Sequence, residues 1–173
     1  MACETLLNTG RTVVISWADE DCEATPLTTA TTPITSWQPI GAVQSFNENF
    51  SQRTTTANVE GQSLTVTETL GGDIEITVTS LDVVDVATAS SQQALRDKIF
   101  TAALATTPTT PKAWIRLWDK AMGTNGQYRY YYCMIDAPSR SGEVEGNRTA
   151  EFTFKAVPTN KVGNNPYQSE LIA

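Results

Sequence analysis

Apolar and polar residues alternate along Ser63 to Leu81. Leu64, Val66 and Leu70 fall on one side of a first run, with Glu68 interrupting it, and Ile74, Ile76 and Val78 fall on one side of a second. The opposite sides carry Ser63, Thr65, Thr67 and Thr69, then Asp73, Glu75, Thr77 and Thr79. Period two marks strands with one buried and one wet face. Gly71-Gly72 between the runs predicts a hairpin. A two-residue loop would set Thr67 opposite Ile76 and mix the faces. A three-residue loop, Leu70-Gly71-Gly72 or Gly71-Gly72-Asp73, keeps apolar opposite apolar and places a glycine in the left-handed conformation such loops need.

The period then changes. Ser90-Ser91-Gln92-Gln93 has the Ser-x-x-Gln spacing of a capping box, in which side chains satisfy the free amides of a first helical turn. Leu95, Ile99 and Ala102 follow at helical spacing, Arg96, Asp97 and Lys98 are predicted to face water, and Thr106-Thr107-Pro108 ends the helix. This is the one long helix expected, packed by its apolar stripe on the sheet.

Five more strands are predicted. Thr12 to Trp17 is the first, and a proline- and threonine-rich polar arm over 18–36 follows it. Ala42 to Phe46 is a short strand, and the polar stretch 47–62 after it reads as a long loop. Such loops are uncommon in compact domains unless they bind something. Lys112 to Trp118 sets Trp114, Arg116 and Trp118 against Ala113, Ile115 and Leu117. Gln127 to Asp136 sets Tyr128, Tyr130, Tyr132 and Met134 against Arg129, Tyr131, Cys133 and Ile135. Both faces of that strand are substantial, so it is expected to be central or covered by a neighbouring subunit. Thr149 to Val157 alternates strictly, with Ala150, Phe152, Phe154 and Ala156 inward. The tail 158–173 is polar and reads as flexible.

Composition narrows the chemistry. The 173 residues suit a single domain, and their 27 threonines favour strands. No run approaches the about 20 apolar residues of a membrane span, and no secretory signal is visible at the start. Cys3, Cys22 and Cys133 lack metal spacing and are read as reduced thiols. The acidic cluster Asp19-Glu20-Asp21-Cys22-Glu23 lacks the ordered spacing and glycine of a calcium loop. There is no histidine, which removes Ser-His and Cys-His catalysis and most zinc sites. No catalytic, cofactor or metal site is therefore expected, and the chain is not read as an enzyme.

Charge adds a direction. The net charge is −7, and it is uneven: residues 1–100 hold 4 basic and 13 acidic groups, residues 101–173 hold 8 and 6. That balance argues against sequence-specific nucleic-acid binding, including base stacking on the Tyr-Arg strand. It suits copies of the chain meeting with opposite signs.

The order of these features resembles the major tail tube proteins of long-tailed (siphovirus-like) bacteriophages. The resemblance rests on the proline- and threonine-rich arm, W-Q-P-I-G-A-V-Q-S-F, a long polar stretch ending in V-E-G-Q, a single helix after T-V-T-S-L-D-V-V-D, W-I-R-L-W-D and Y-R-Y-Y-Y. It covers Arg11 to Pro158 and has no diagnostic signature. It implies an antiparallel β-sandwich or partial barrel with one flanking helix, forming hexameric rings that stack head to tail. Strands of successive subunits would join one continuous β-barrel around a channel, which also removes exposed sheet edges.

Thr65, Thr67, Asp73, Glu75, Thr77 and Thr79 would then line the bore, where acidic groups repel the phosphates of passing double-stranded DNA. The stretch 47–62 would contact the next ring through Glu48, Arg53 and Glu60. Partners implied are other copies of the chain and the tape measure, tail terminator and tail tip proteins, with no small-molecule substrate. The implied location is the virion tail, assembled in the host cytoplasm. Two alternatives remain open: an extracellular β-sandwich adhesion module, and the tube protein of a related bacterial secretion or contractile injection machine.

Overall fold

Inward alternation on strand after strand produces a mainly antiparallel β architecture. The computed structural model describes residues 13–41, 43–58, 65–81, 86–119, 126–142, 148–157 and 166–171. Among them lie β1 (Val13–Ala18), β2 (Gln38–Pro39), β3 (Val43–Asn58), β4 (Thr65–Leu81), α1 (Val86–Leu104), β5 (Lys112–Asp119), β6 (Gln127–Ile135), β7 (Ser139–Ser141), β8 (Thr149–Ala156) and β9 (Tyr167–Leu171). The sheet order is β2-β1-β5-β6-β8-β4-β3, with β7 on β8 and β9 on β6.

Strand β6 is the mast, as its two apolar faces predict. One edge pairs with β5 throughout. The other edge pairs with β9 over Gln127–Tyr131 and with β8 over Cys133–Ile135. The sheet forks there, and its two branches share a core as an open sandwich. Ile15, Trp17, Ile115, Leu117, Tyr131 and Cys133 of one branch meet Ile76, Val78, Phe152 and Phe154 of the other, with Leu95 and Ile99 of α1 packed against them. The second face of β5 and β6 builds a separate cluster of Trp114, Tyr130 and Tyr132. The arm covers it with Leu27 and Ile34, and the Trp114 indole N–H donates to the Asp21 carbonyl at 2.8 Å.

The helix differs from its expected form. It begins at Val86, so Ser90 to Gln93 lies inside it and is not its cap. Ser91 and Gln92 are buried and serve as stitches. Trp17 Nε1 donates to Ser91 Oγ at 3.1 Å, and Ser91 donates on to the Pro39 carbonyl. Gln92 Nε2 reaches the Ile40 and Leu81 carbonyls at 2.6 and 3.0 Å. Arg96 is buried, not solvated. A pattern of apolar residues cannot reveal polar groups that turn inward to satisfy backbone carbonyls.

Three further expectations change. Residues 47–58 are not a loop: they continue β3, which pairs with β4 from Val43↔Ser80 to Asn58↔Thr65; residues 59–62 lie outside the described part. Gly71-Gly72 is not a turn, because β4 runs through it. Gly71, at φ 138°, accompanies a bulge in which Leu70 is the extra residue between the pairs Arg53↔Gly71 and Thr54↔Thr69. Positive φ, which favours glycine, is spent on a bulge and not on a reversal. The tail is not wholly irregular either, since β9 adds a five-residue strand; residues 158–165 lie outside the described part.

Candidate functional site

The surface that stands out combines a polar sheet face with a two-stranded ribbon, and both follow from register. Directly opposed residues share a face in an antiparallel ladder. Phe46↔Val78↔Phe152 and Glu48↔Ile76↔Phe154 point inward; Ser45↔Thr79↔Glu151, Asn47↔Thr77↔Thr153 and Asn49↔Glu75↔Lys155 point outward. Strand β7 extends this outer face with Ser139 opposite Glu151 and Ser141 opposite Thr149. The result is a four-stranded sheet, β7-β8-β4-β3, whose outer face is polar along the rows through Glu75, Thr77 and Thr79, with the apolar Leu81 beside Thr149 at its end.

Beyond Glu75 the third strand ends. Strand β8 accompanies β4 only over Glu75–Leu81, while β3 follows β4 to Thr65. Residues 51–58 and 65–73 therefore project as a two-stranded ribbon, exposed over 51–56. A fully buried apolar side chain such as Phe152 or Ile76 stabilises by about 1.5–3 kcal/mol. The ribbon's described side chains contribute no such burial, and isolated two-stranded ribbons are marginal in water.

Of the residues predicted to line a bore, Asp73, Glu75, Thr77 and Thr79 share this outer face. Thr65 and Thr67 lie on β4, where only the backbone is described. Arg53 joins the same face, with its Nε 3.0 Å from Asp73 Oδ2. Lys155 sits between Asp136 Oδ2 at 2.6 Å and Glu75 Oε2 at 4.0 Å. The hydrogen bond to Asp136 holds the Lys155 ammonium above its ordinary pKa. Sequence reasoning missed Asn47, Asn49, Glu151 and Lys155. The strict alternation of β8 contained the last two, but on β3 Glu48 interrupts the apolar stripe between Phe46 and Phe50, so Asn47 and Asn49 read as part of a polar stretch.

Glu48 lies on the opposite side from Arg53. Its carboxylate accepts from Arg129 Nη1 and Tyr131 Oη of the same chain, at a groove of about 310 Å³ lined also by Phe50, Ile74 and Tyr167. Glu60 lies outside the described residues. A second carboxylate, Glu170 of β9, accepts from Tyr130 Oη and from the Thr28 backbone N–H and hydroxyl at 3.0 and 3.1 Å, fastening the arm. The neighbouring tyrosines of β6 thus clamp the hairpin on one side and the arm on the other. Arg116 lies between the Trp37 and Tyr128 rings, 4.6 and 5.0 Å from their centroids; burial lowers its pKa.

Burial, then the bonds to Glu170 and Glu48, raise the Tyr130 and Tyr131 hydroxyls above their ordinary pKa, and burial raises the Cys133 thiol. These groups are folded in their neutral forms. Their stabilisation is complete below the unfolded-state values, about 8.5 for Cys and 10 for Tyr, and is lost as pH rises above them. Thermal stability is expected to be level from pH 7 to 8 and to fall steeply above about pH 10. Melting curves across that range check this, and a flat profile to pH 11 would contradict it.

Among the described residues, no group of three potential metal ligands converges, and no helix is long and apolar enough to cross a membrane.

No protein-family model matches the sequence, and no curated protein matches it. Solved structures do. The tail of an empty gene transfer agent particle, refined with C6 symmetry, has a chain similar over 96% of this one and 100% of its own, at TM-score 0.58 and 13% identity. The SPP1 tail tube is similar over 87% of this chain and 76% of its own, at 0.58 and 14%. A chain of the PVC extracellular contractile injection sheath–tube complex is similar over 98% and 95%, at 0.55 and 11%. The chain has the fold of tail tube proteins, an antiparallel sandwich with one flanking helix.

Proposed function

We propose that this chain is a tail tube subunit that assembles into rings, six to a ring, stacked head to tail in a virion tail. The observation that carries the reading is the four-stranded sheet β7-β8-β4-β3, polar on its outer face, in which β3 and β7 have no further strand partner among the described residues. Open edges are a liability that closure between copies removes. Pairing β3 of one copy with β7 of the next would close a barrel whose polar face surrounds a water-filled bore. Sixfold closure agrees with the symmetry of the gene transfer agent tail that shares the fold.

In this arrangement the ribbon 51–58/65–73 reaches the adjacent ring, and Asp73, Glu75, Thr77 and Thr79 face the bore, with Thr65 and Thr67 on the ribbon. Arg53 lies near both surfaces; Glu60 belongs to the inter-ring contact. Double-stranded DNA is the cargo such a wall suits, since hydroxyls, amides and ion pairs offer it little grip. The tape measure, tail terminator and tail tip proteins are the expected partners within the tail. The role is structural and needs no catalytic group.

Negative-stain microscopy of purified protein tests this. Rings or tubes with a central bore are expected; monomers throughout the soluble concentration range would overturn it and favour an adhesion module. A second reading, the tube of a contractile injection machine, is favoured by the likeness to the PVC sheath–tube complex. Recovery of a sheath around the native tube would select it.

A further inference from the structure

The outer face is not simply acidic. It holds Arg53 and Lys155, each exposed enough to meet a ligand at 64% and 45% of side-chain surface, and each is matched by carboxylates within reach. Arg53 is met by Asp73 at 3.0 Å across the β3–β4 ladder. Lys155 is met by Asp136 at 2.6 Å and by Glu75, directly opposite it in the β4–β8 ladder, at 4.0 Å. Isolated exposed ion pairs contribute little to stability, so folding alone gives weak reason for this matching. Bare cations on a repeated surface are another matter. Every ring would repeat them, and each lysine or arginine contact to phosphate adds to a polyanion's affinity by releasing counterions.

We propose that Asp73, Asp136 and Glu75 are built-in counter-ions that keep Arg53 and Lys155 from binding double-stranded DNA. The proposal rests on the reading that this face meets DNA, and it assigns the carboxylates a different job from bulk repulsion. The two cations bridge strands across the wet face: Arg53 links β3 to β4 within the ribbon, and Lys155 links β8 to β4 and to the end of β6. Each would also grip a phosphate backbone if its acid were removed. The wall is slippery because its charges are spent on one another. Ser51, Asn49, Asn47, Thr77 and Thr153 fill the spaces between with neutral groups that offer DNA only weak hydrogen bonds.

The test measures binding of a short fluorescent DNA duplex by anisotropy to wild type, to Asp73→Asn/Glu75→Gln/Asp136→Asn, and to that variant carrying Arg53→Gln/Lys155→Gln as well. The first variant is expected to bind at least tenfold more tightly than wild type in 50 mM salt. Two phosphate contacts should make that affinity fall about tenfold between 50 and 200 mM. The second variant should return to the wild-type level. A triple variant no tighter than wild type, or binding that survives loss of Arg53 and Lys155, overturns the proposal. If the triple variant does not fold, Asp73→Asn alone is read. It touches one exposed pair, should fold normally, and should gain a single-contact dependence of about threefold over the same salt range; no gain overturns the proposal. Microscopy of the same samples scores tube formation separately. DNA binding gained without tubes would sink the tube reading alone, and tubes that gain no binding would sink this one.

Discussion

A chain in which an Asn-Gly turn replaces residues 53–71 should fold as a monomer and form no tubes. Gln52 and Gly72 are ladder partners, so a two-residue turn between them matches a standard hairpin closure. The excised ribbon contains no residue of either buried cluster among those described, and the pairs from Gln52↔Gly72 to Val43↔Ser80 remain. The expected change in melting temperature is within a few degrees, because surface changes away from the core cost little. Assembly should be lost entirely, since in the proposed tube the ribbon supplies the reach between rings. Size-exclusion chromatography and microscopy decide it. Normal tubes from the shortened chain would remove the ribbon from the assembly, while an unfolded product would mean that it is needed for the fold.

Glu48→Ala should be the most damaging single substitution on the hairpin. The carboxylate accepts from both Arg129 and Tyr131, and the Glu48 and Arg129 side chains are only 22% and 23% exposed. Removing it leaves a guanidinium and a hydroxyl without that acceptor beside the groove. The cost is about 2–3 kcal/mol, below the value for a fully buried pair because the site is partly wet. For a domain of this size that lowers the melting temperature by about 5–10 °C. Glu48→Gln keeps an acceptor and should recover about half of the loss. Hydrogen exchange should rise in β3 and β4 before it rises in β5, since Glu48 holds the hairpin branch to the mast. A melting temperature within 1 °C of wild type would show that the hairpin is held by Phe46, Ile76 and Val78 alone.

The same hairpin shows where sequence reasoning stops. On β8, Ala150, Phe152 and Phe154 alternate with Thr149, Glu151 and Thr153, and the structure buries the first set. On β6, both faces are aromatic or apolar, and the strand is central. Where each inward residue meets a core, the period of the pattern is the period of the strand. Past Phe50 the ribbon has no core beneath it, so Gln52, Arg53 and Thr54 carry no alternation to read. Backbone pairing alone makes that stretch a strand, and backbone pairing leaves no mark on residue type. The tail was obscured in a similar way. Strand β9 is five residues long, and its one buried residue, Gln168, is polar.

By itself the sequence determined the strand-rich class, the central Tyr-Arg strand, the division of β5 and β6 into two faces, the inward face of β8, the long helix and the threonine-and-carboxylate face of β4. All of these are properties of residues one to four positions apart, which local periodicity records. Only the tertiary structure decided that β3 runs on to pair with β4, that Gly71 makes a bulge, that Glu48 clamps inward, and that Arg53 and Lys155 are neutralised on the polar face. Those are pairings between distant positions, such as Glu48 with Arg129 or Arg53 with Asp73. A charge in a sequence shows its sign but not its neighbour, and register across a ladder sets the neighbour.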